Sequence, residues 1–176
     1  MRHLPISFSP EMVTAIRNGR KTETRRIVKH QPADPRVNVG DYFPHRIDRN
    51  GIEYPAAERF GAWGDGWDVP SPYGRPDDRL WVRERCYIAP PNWGNPSDAN
   101  CRDDQGRPRH VGYEVPSEAA EDYGLKPRLA FLMPRWASRI QLVVRSIHVE
   151  RLQLIDQADA RSEGIESCTF GRDDLD

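Results

Sequence analysis

Lysine is nearly missing from this chain: of 26 cationic residues only Lys21, Lys29 and Lys126 are lysines, and arginine supplies the rest. Such usage can reflect genome composition alone, but it makes each lysine worth a closer look. Cysteine is scarce as well. Cys86, Cys101 and Cys168 are odd in number, far apart and without a CxxC pair, which suits a reducing cytosol better than a disulfide framework. A zinc set of Cys86, Cys101 and His110 fits no known ligand spacing and lacks a fourth member, so we expect free thiols, a surface histidine, no metal and no cofactor. No apolar run approaches membrane-spanning length, and "MRHLPISFSP" has no long apolar core of the kind a signal peptide needs. The expectation is a soluble, cytoplasmic protein without a membrane partner. P-loop, dinucleotide fingerprint, HExxH and nucleophile elbow are all absent, as are internal repeats and low-complexity tracts. Charge of either sign is not in excess: 26 cations meet 27 acids, so anion recognition must come from a local cluster and not from a global field.

What is present fits one domain of 176 residues with long loops. "LPISF" reads as a first strand. Ser9 before Pro10 is an N-cap with proline at the first helical position, Met12, Val13 and Ile16 share a helical face, and Gly19 supplies a left-handed stop. A helix over residues 10–18 follows. From Thr22 to Val28 the β-branched content predicts a strand, with the oddity that its first half is polar on both sides. From about 30 to 76 no period persists, and we expect an ordered loop pinned by Trp63 and Trp67, with short strands near "GDYFPHRI" and "GIEYPA". "LWVRERCYI" is a clear strand in which Leu80, Val82 and Glu84 point one way and Trp81, Arg83 and Arg85 the other. A second loop covers about 89–110, followed by a short strand at "HVGYEV". From Arg139, Ile140, Leu142 and Val144 alternate as in a half-buried strand reaching about Leu152. Asp156 then caps a short helix ended by Gly164. Short strands, few helices and large loops predict an α+β fold built on a small barrel.

Several residues could carry chemistry. A threonine hydroxyl is a poor nucleophile unless a base takes its proton, and a desolvated lysine can be that base. Lys21 and Thr24 would work as such a pair only if Lys21 lies in the turn before the strand, which Gly19 permits; otherwise Lys21 is a solvated cation at a helix C-terminus. Arg25 and Arg26 would point to opposite sides of the strand, so that one could fork onto a phosphate or carboxylate. Trp81, Arg83, Arg135, Trp136 and Arg139 mix cations with rings as single-strand or nucleobase sites do, and as ordinary cation–π surfaces also do. Glu84 sits among apolar strand positions and needs a partner, for which Lys21 or a neighbour of Arg83 would serve. Glu163, at a helix end where its charge opposes the dipole, invites a second role.

"GRKTETRR" from Gly19, a G-x-K-x-x-T-x-R pattern, resembles the signature of the ASCH domain family, a branch of the PUA-like superfamily of small β-barrels. "YGRPDDRLWVRE", "MPRWASRIQLVV" and "VERLQLIDQADARSEGI" resemble the phage and prophage form of that family. The similarity runs from Leu4 to Ile165 apart from the two loops, which are read as insertions of that form. The resemblance implies a PUA-like barrel with short flanking helices, a cleft near the first helix, and a nucleobase- or RNA-directed function. Small bacterial members include amidohydrolases of N4-acetylcytidine that use a lysine, a threonine and a glutamate. Matched by motif, these are Lys21 as base, Thr24 as nucleophile and Glu163 as the group that orients or shuttles protons. Arg25, Arg26, Trp81, Arg83, Glu84, Arg135 and Trp136 are the expected substrate-binding residues, and a modified nucleoside or single-stranded RNA the expected partner. A non-catalytic RNA- or modified-base-binding module and a ribonuclease are the other readings of the same resemblance. It also implies a tryptophan-containing closing strand that "TFGRDDLD" does not supply, hence a barrel open at that point or completed by a partner.

Overall fold

A computed structural model of the chain describes residues 1–34, 36–88, 111–113 and 115–165. The frame is a three-stranded sheet. Strand β1 (His3–Ser7) leads into helix α1 (Pro10–Arg17). The Ser9 side chain caps α1 by accepting from the Met12 N–H, and Gly19 follows the last turn at φ 71°, so the expected start and stop signals are both in use.

The 30–76 stretch is far more regular than its sequence suggests. It contains β2 (Asn38–Tyr42), β3 (His45–Ile47), β4 (Glu53–Pro55), β5 (Arg59–Gly64) and β6 (Trp67–Pro70). β2, β5 and β6 form one antiparallel sheet and β3 with β4 a separate hairpin. Both tryptophans pin it as expected: Trp63 stacks on Tyr42 with centroids 5.4 Å apart, and the Trp67 indole N–H donates to the His30 carbonyl at 2.8 Å. The tight turn at Gly66 (φ 64°) closes the β5–β6 hairpin within a segment whose sequence shows no alternation.

β7 (Arg79–Arg83) is the centre of the main sheet, parallel to β1 with Leu4 opposite Leu80 and Ile6 opposite Val82. β8 (Cys86–Ile88), β9 (Val111–Gly112), helix α2 (Ser117–Asp122) and β10 (Lys126–Arg128) come next, with β8 between β9 and β10. β11 (Gln141–Val143) completes the main sheet antiparallel to β7, and α3 (Gln157–Ser162) closes the described chain. Asp156 caps α3 in a reciprocal capping box with Asp159. The architecture is α+β. Among the described residues the strands fall into four small sheets and no single sheet closes on itself.

Ile6, Phe8, Val13, Leu80, Val82 and Val144 form the main core, between the sheet and α1. A second cluster of Cys86, Met133 and Ala137 lies beyond β8. Two expected strands are corrected. The run from Arg139 to Leu152 is a strand only over Gln141–Val143; backbone bonds to the segment before β7 end at Val144, which pairs with Asp77 and Asp78, and Leu152 and Leu154 lie on an exposed 3₁₀ turn. The run from Thr22 to Val28 is not a strand at all: only Lys21 pairs, in one isolated antiparallel bridge to Glu163. The second loop, with Cys101 and His110 of the zinc set, and Cys168 lie outside the described residues, whereas Cys86 is buried with its thiol pKa pushed up by burial.

Candidate active site

The polar stretch after Gly19 has no strand to pair with, so its backbone finds other acceptors. The Arg20 and Lys21 N–H groups donate to the Ala15 carbonyl, and those of Thr22 and Glu23 both donate to the Ser162 carbonyl at the end of α3. The Arg25 N–H donates to the Glu163 carboxylate at 2.5 Å. Segment 20–25 is therefore held between the C-terminal ends of two helices, and this explains how a polar segment without a strand partner has its backbone satisfied.

That placement buries Lys21. Its side chain is 2% exposed, against 14% for Glu163, and Nζ stands 2.5 Å from Glu163 Oε2. Nζ also donates to the carbonyls of Glu23 at 2.7 Å and Glu163 at 2.9 Å. All three protons of the ammonium are thus engaged. Gly164 makes the approach possible: its φ is 86°, and a Cβ there would stand 2.9 Å from Ala15 Cβ and 3.1 Å from Lys21 Cβ.

Thr24 lies one residue beyond the carbonyl that Lys21 holds. Its hydroxyl oxygen accepts from Arg26 Nη1 at 2.8 Å, which leaves its own proton free to be donated; among the described residues it has no hydrogen bond to Lys21. Arg26 also donates to the Arg25 carbonyl at 2.8 Å. The Phe8 ring joins the two cations, with Lys21 Nζ and Arg26 Cζ each 5.7 Å from its centroid. No sequence signal marks Phe8 for this, since it reads as the last core residue of the first strand.

The expected substrate-binding residues divide. Arg26 stands beside Thr24. Arg25 does not face open space: its guanidinium is ringed by Glu150 (2.8 Å), Asp159 (3.2 Å), Glu23 (3.3 Å) and Glu163 (3.7 Å). The hydrogen bond to Glu150 is the main cause of its raised pKa, with the Asp159, Glu150 and Glu23 charges adding to it against a desolvation cost. Glu84 is buried, and its partner is neither Lys21 nor a neighbour of Arg83 but Arg139, in a bidentate pair at 2.9 and 2.8 Å. Arg139 also lies 4.0 Å over the Tyr113 ring. Glu84 and Tyr113 share with Pro10, Val13, Thr14 and Arg85 a small cavity of about 50 Å³, which Lys21 does not line.

Trp81 and Arg83 occupy the other face of β7, the guanidinium 5.8 Å from the indole centroid and donating to the Phe131 carbonyl at 3.4 Å. Arg83 is opposite Ser7 in the β1–β7 ladder, and its carbonyl accepts from the Phe8 N–H. Arg135 and Trp136 sit on an exposed 3₁₀ turn. Among the described residues no group of three histidine, cysteine or acidic side chains is placed to hold a metal ion, and no helix is long and apolar enough to cross a membrane. Set against protein-family models, curated proteins and solved structures, the chain matches none of them.

Proposed function

We propose that the chain is a cytoplasmic ASCH-type amidohydrolase with a PUA-like fold, acting on an N4-acylated cytosine or a related small amide, with Thr24 as nucleophile, Lys21 as base and Glu163 as proton relay. The single observation that carries the reading is the buried Lys21–Glu163 contact at 2.5 Å beside Thr24.

As an ammonium Lys21 has no lone pair to offer, so the first step is transfer of one proton from Nζ to Glu163 Oε2, which neutralises both groups in a site poor in water. The neutral amine then releases the Glu23 carbonyl and takes the hydroxyl proton of Thr24. Thr24 Oγ1 forms a bond to the amide carbon, and the developing oxyanion is stabilised by Arg26, already hydrogen-bonded to Oγ1. Collapse breaks the carbon–nitrogen bond, with the leaving nitrogen taking a proton from Lys21. A water, deprotonated by Lys21, adds to the acyl-threonine carbonyl; collapse breaks the ester carbon–oxygen bond, Thr24 Oγ1 takes its proton back from Lys21, the acid leaves, and Glu163 returns its proton to the Lys21 amine.

The test is deacetylation of N4-acetylcytidine by purified protein, followed by the change in cytosine absorbance. Lys21→Ala should lower turnover by roughly 10²–10⁴-fold while circular dichroism is unchanged. A protein that leaves N4-acetylcytidine and its analogues untouched at high enzyme concentration does not have this substrate. The non-catalytic binding reading draws on the Arg83–Trp81 stack; binding of a modified base that survives Thr24→Ala in a protein without turnover would favour it.

A further inference from the structure

Arg26, which meets the oxyanion in the reaction proposed above, stands on a segment with no strand partner. Residues 22–28 form no ladder, and among the described residues the N–H groups of Arg26 and Ile27 donate to no backbone carbonyl. Two hydrogen bonds of the Arg26 guanidinium stay within its own segment, to Thr24 Oγ1 and to the Arg25 carbonyl. They set the guanidinium relative to Thr24 but not relative to the rest of the fold. Its contacts with another element, among the described residues, lie at the end of β1: a long hydrogen bond to the Ser7 carbonyl at 3.5 Å, and the Phe8 ring.

Phe8 is fixed from the opposite side. It is 6% exposed, packs in the main core with Ile6, Val13, Leu80, Val82 and Val144, and donates its N–H to the Arg83 carbonyl at 3.1 Å. Any large apolar residue could fill that place, but an aliphatic one has no π face, and two cations converge on this ring: Lys21 Nζ and Arg26 Cζ are each 5.7 Å from its centroid. The chemistry treats the two differently. Lys21 gives up its charge when it passes a proton to Glu163, whereas a guanidinium stays charged throughout. The ring then retains the one cation that the oxyanion needs.

We infer that Phe8 is a positioning residue: its ring, immobilised in the core, holds the Arg26 guanidinium beside Thr24 by cation–π attraction and so preorganises the oxyanion contact. The inference rests on the amidohydrolase reading for the reaction served, but not for the hold on Arg26.

The experiment places phenylalanine carrying one, two or three ring fluorines at position 8 of the full chain, since fluorine drains electron density from the ring face with little change in size. Expected is a stepwise fall in kcat on N4-acetylcytidine, reaching about tenfold with the third fluorine, at unchanged KM. Phe8→Leu, which has no face, should lower kcat at least as far. A kcat indifferent to fluorination with Phe8→Leu alone impaired would make the ring a space-filler and overturns the inference, as does a rise in KM at constant kcat. A second readout needs no turnover. In protein made with isotopically labelled arginine, the guanidinium N–H resonance that Arg26→Lys abolishes should move downfield in Phe8→Leu, because it leaves the shielding region above the ring. An unmoved resonance overturns the inference. A moved resonance in a protein that deacetylates neither N4-acetylcytidine nor its analogues leaves the hold on Arg26 standing and removes the amidohydrolase reading alone.

Discussion

The Glu163 carboxylate meets the Lys21 amine at 2.5 Å across 142 residues of chain, and its other oxygen accepts from the backbone N–H of Arg25. One side chain thus ties the end of α3 to the segment that follows α1. A buried cation left without its carboxylate is costly, about 3–5 kcal/mol where such pairs are broken from one side. Glu163→Ala should lower unfolding stability by that order in urea titrations. Lys21→Met combined with Glu163→Gln should recover most of the loss, since no unpaired charge is then buried; a double variant as unstable as the single would trace the loss to some other contact.

Two glycines flank the site and should respond differently to alanine. Gly19 has φ 71° with nothing within 4 Å of an added Cβ, so Gly19→Ala costs only the left-handed backbone, about 1–2 kcal/mol. Gly164 adds a steric term, because the new Cβ would press on Ala15 and Lys21. Gly164→Ala should be the more destabilising of the two in thermal melts, and it should depress turnover by moving Glu163 away from Lys21.

Arg25 is bound by four acids, so we expect it to position Glu163 and not to grip substrate. Arg25→Gln should reduce kcat, by up to roughly a hundredfold for a misplacement near 1 Å, with KM unchanged. Steady-state kinetics on N4-acetylcytidine separate the outcomes, since a rise in KM at constant kcat would return Arg25 to the substrate.

Asp78 governs the acid limb of stability. Its carboxylate accepts from the Arg2 N–H at 2.6 Å, the Arg75 N–H at 3.1 Å and the Arg2 guanidinium at 3.1 Å. Chiefly through the Arg2 backbone bond, and against the burial that opposes it, its pKa falls from 3.8 to about 2. A carboxyl lowered in the folded state stabilises it fully above the unfolded value, and that contribution is lost as pH falls from about 4 toward 2. Asp78→Asn should remove this part of the pH dependence, seen as a flatter curve of melting temperature between those limits, together with lower stability at neutral pH.

Much of the local structure was legible in the residues themselves. Ser9-Pro10, Gly19, Asp156 and Gly164 mark helix ends through side-chain caps and permissive backbone, which act over a few residues and need no distant partner. The alternation of Leu80 and Val82 on the buried face of β7, continued by buried Glu84 just beyond it, was legible for the same reason. Long-range partners were not. The five strands within residues 30–76 depend on cross-strand pairing that no sequence period announces. Glu84 chose Arg139 over Lys21 because the register of β7 and the turn at Ala137 carry the guanidinium to it, while α3 had already supplied Lys21 with Glu163.

The stretch "NGRKTETRRIV" shows where the division lies. By itself it determined a helix stop, a turn and a run of polar residues, and it predicted a strand that does not form. Only the tertiary structure decided what those residues face: the ends of two helices, whose open carbonyls and one carboxylate satisfy the N–H groups that a neighbouring strand would otherwise have taken. Hydrogen-bond satisfaction is a requirement every backbone group carries from the start, but the identity of its partner is settled when distant segments pack.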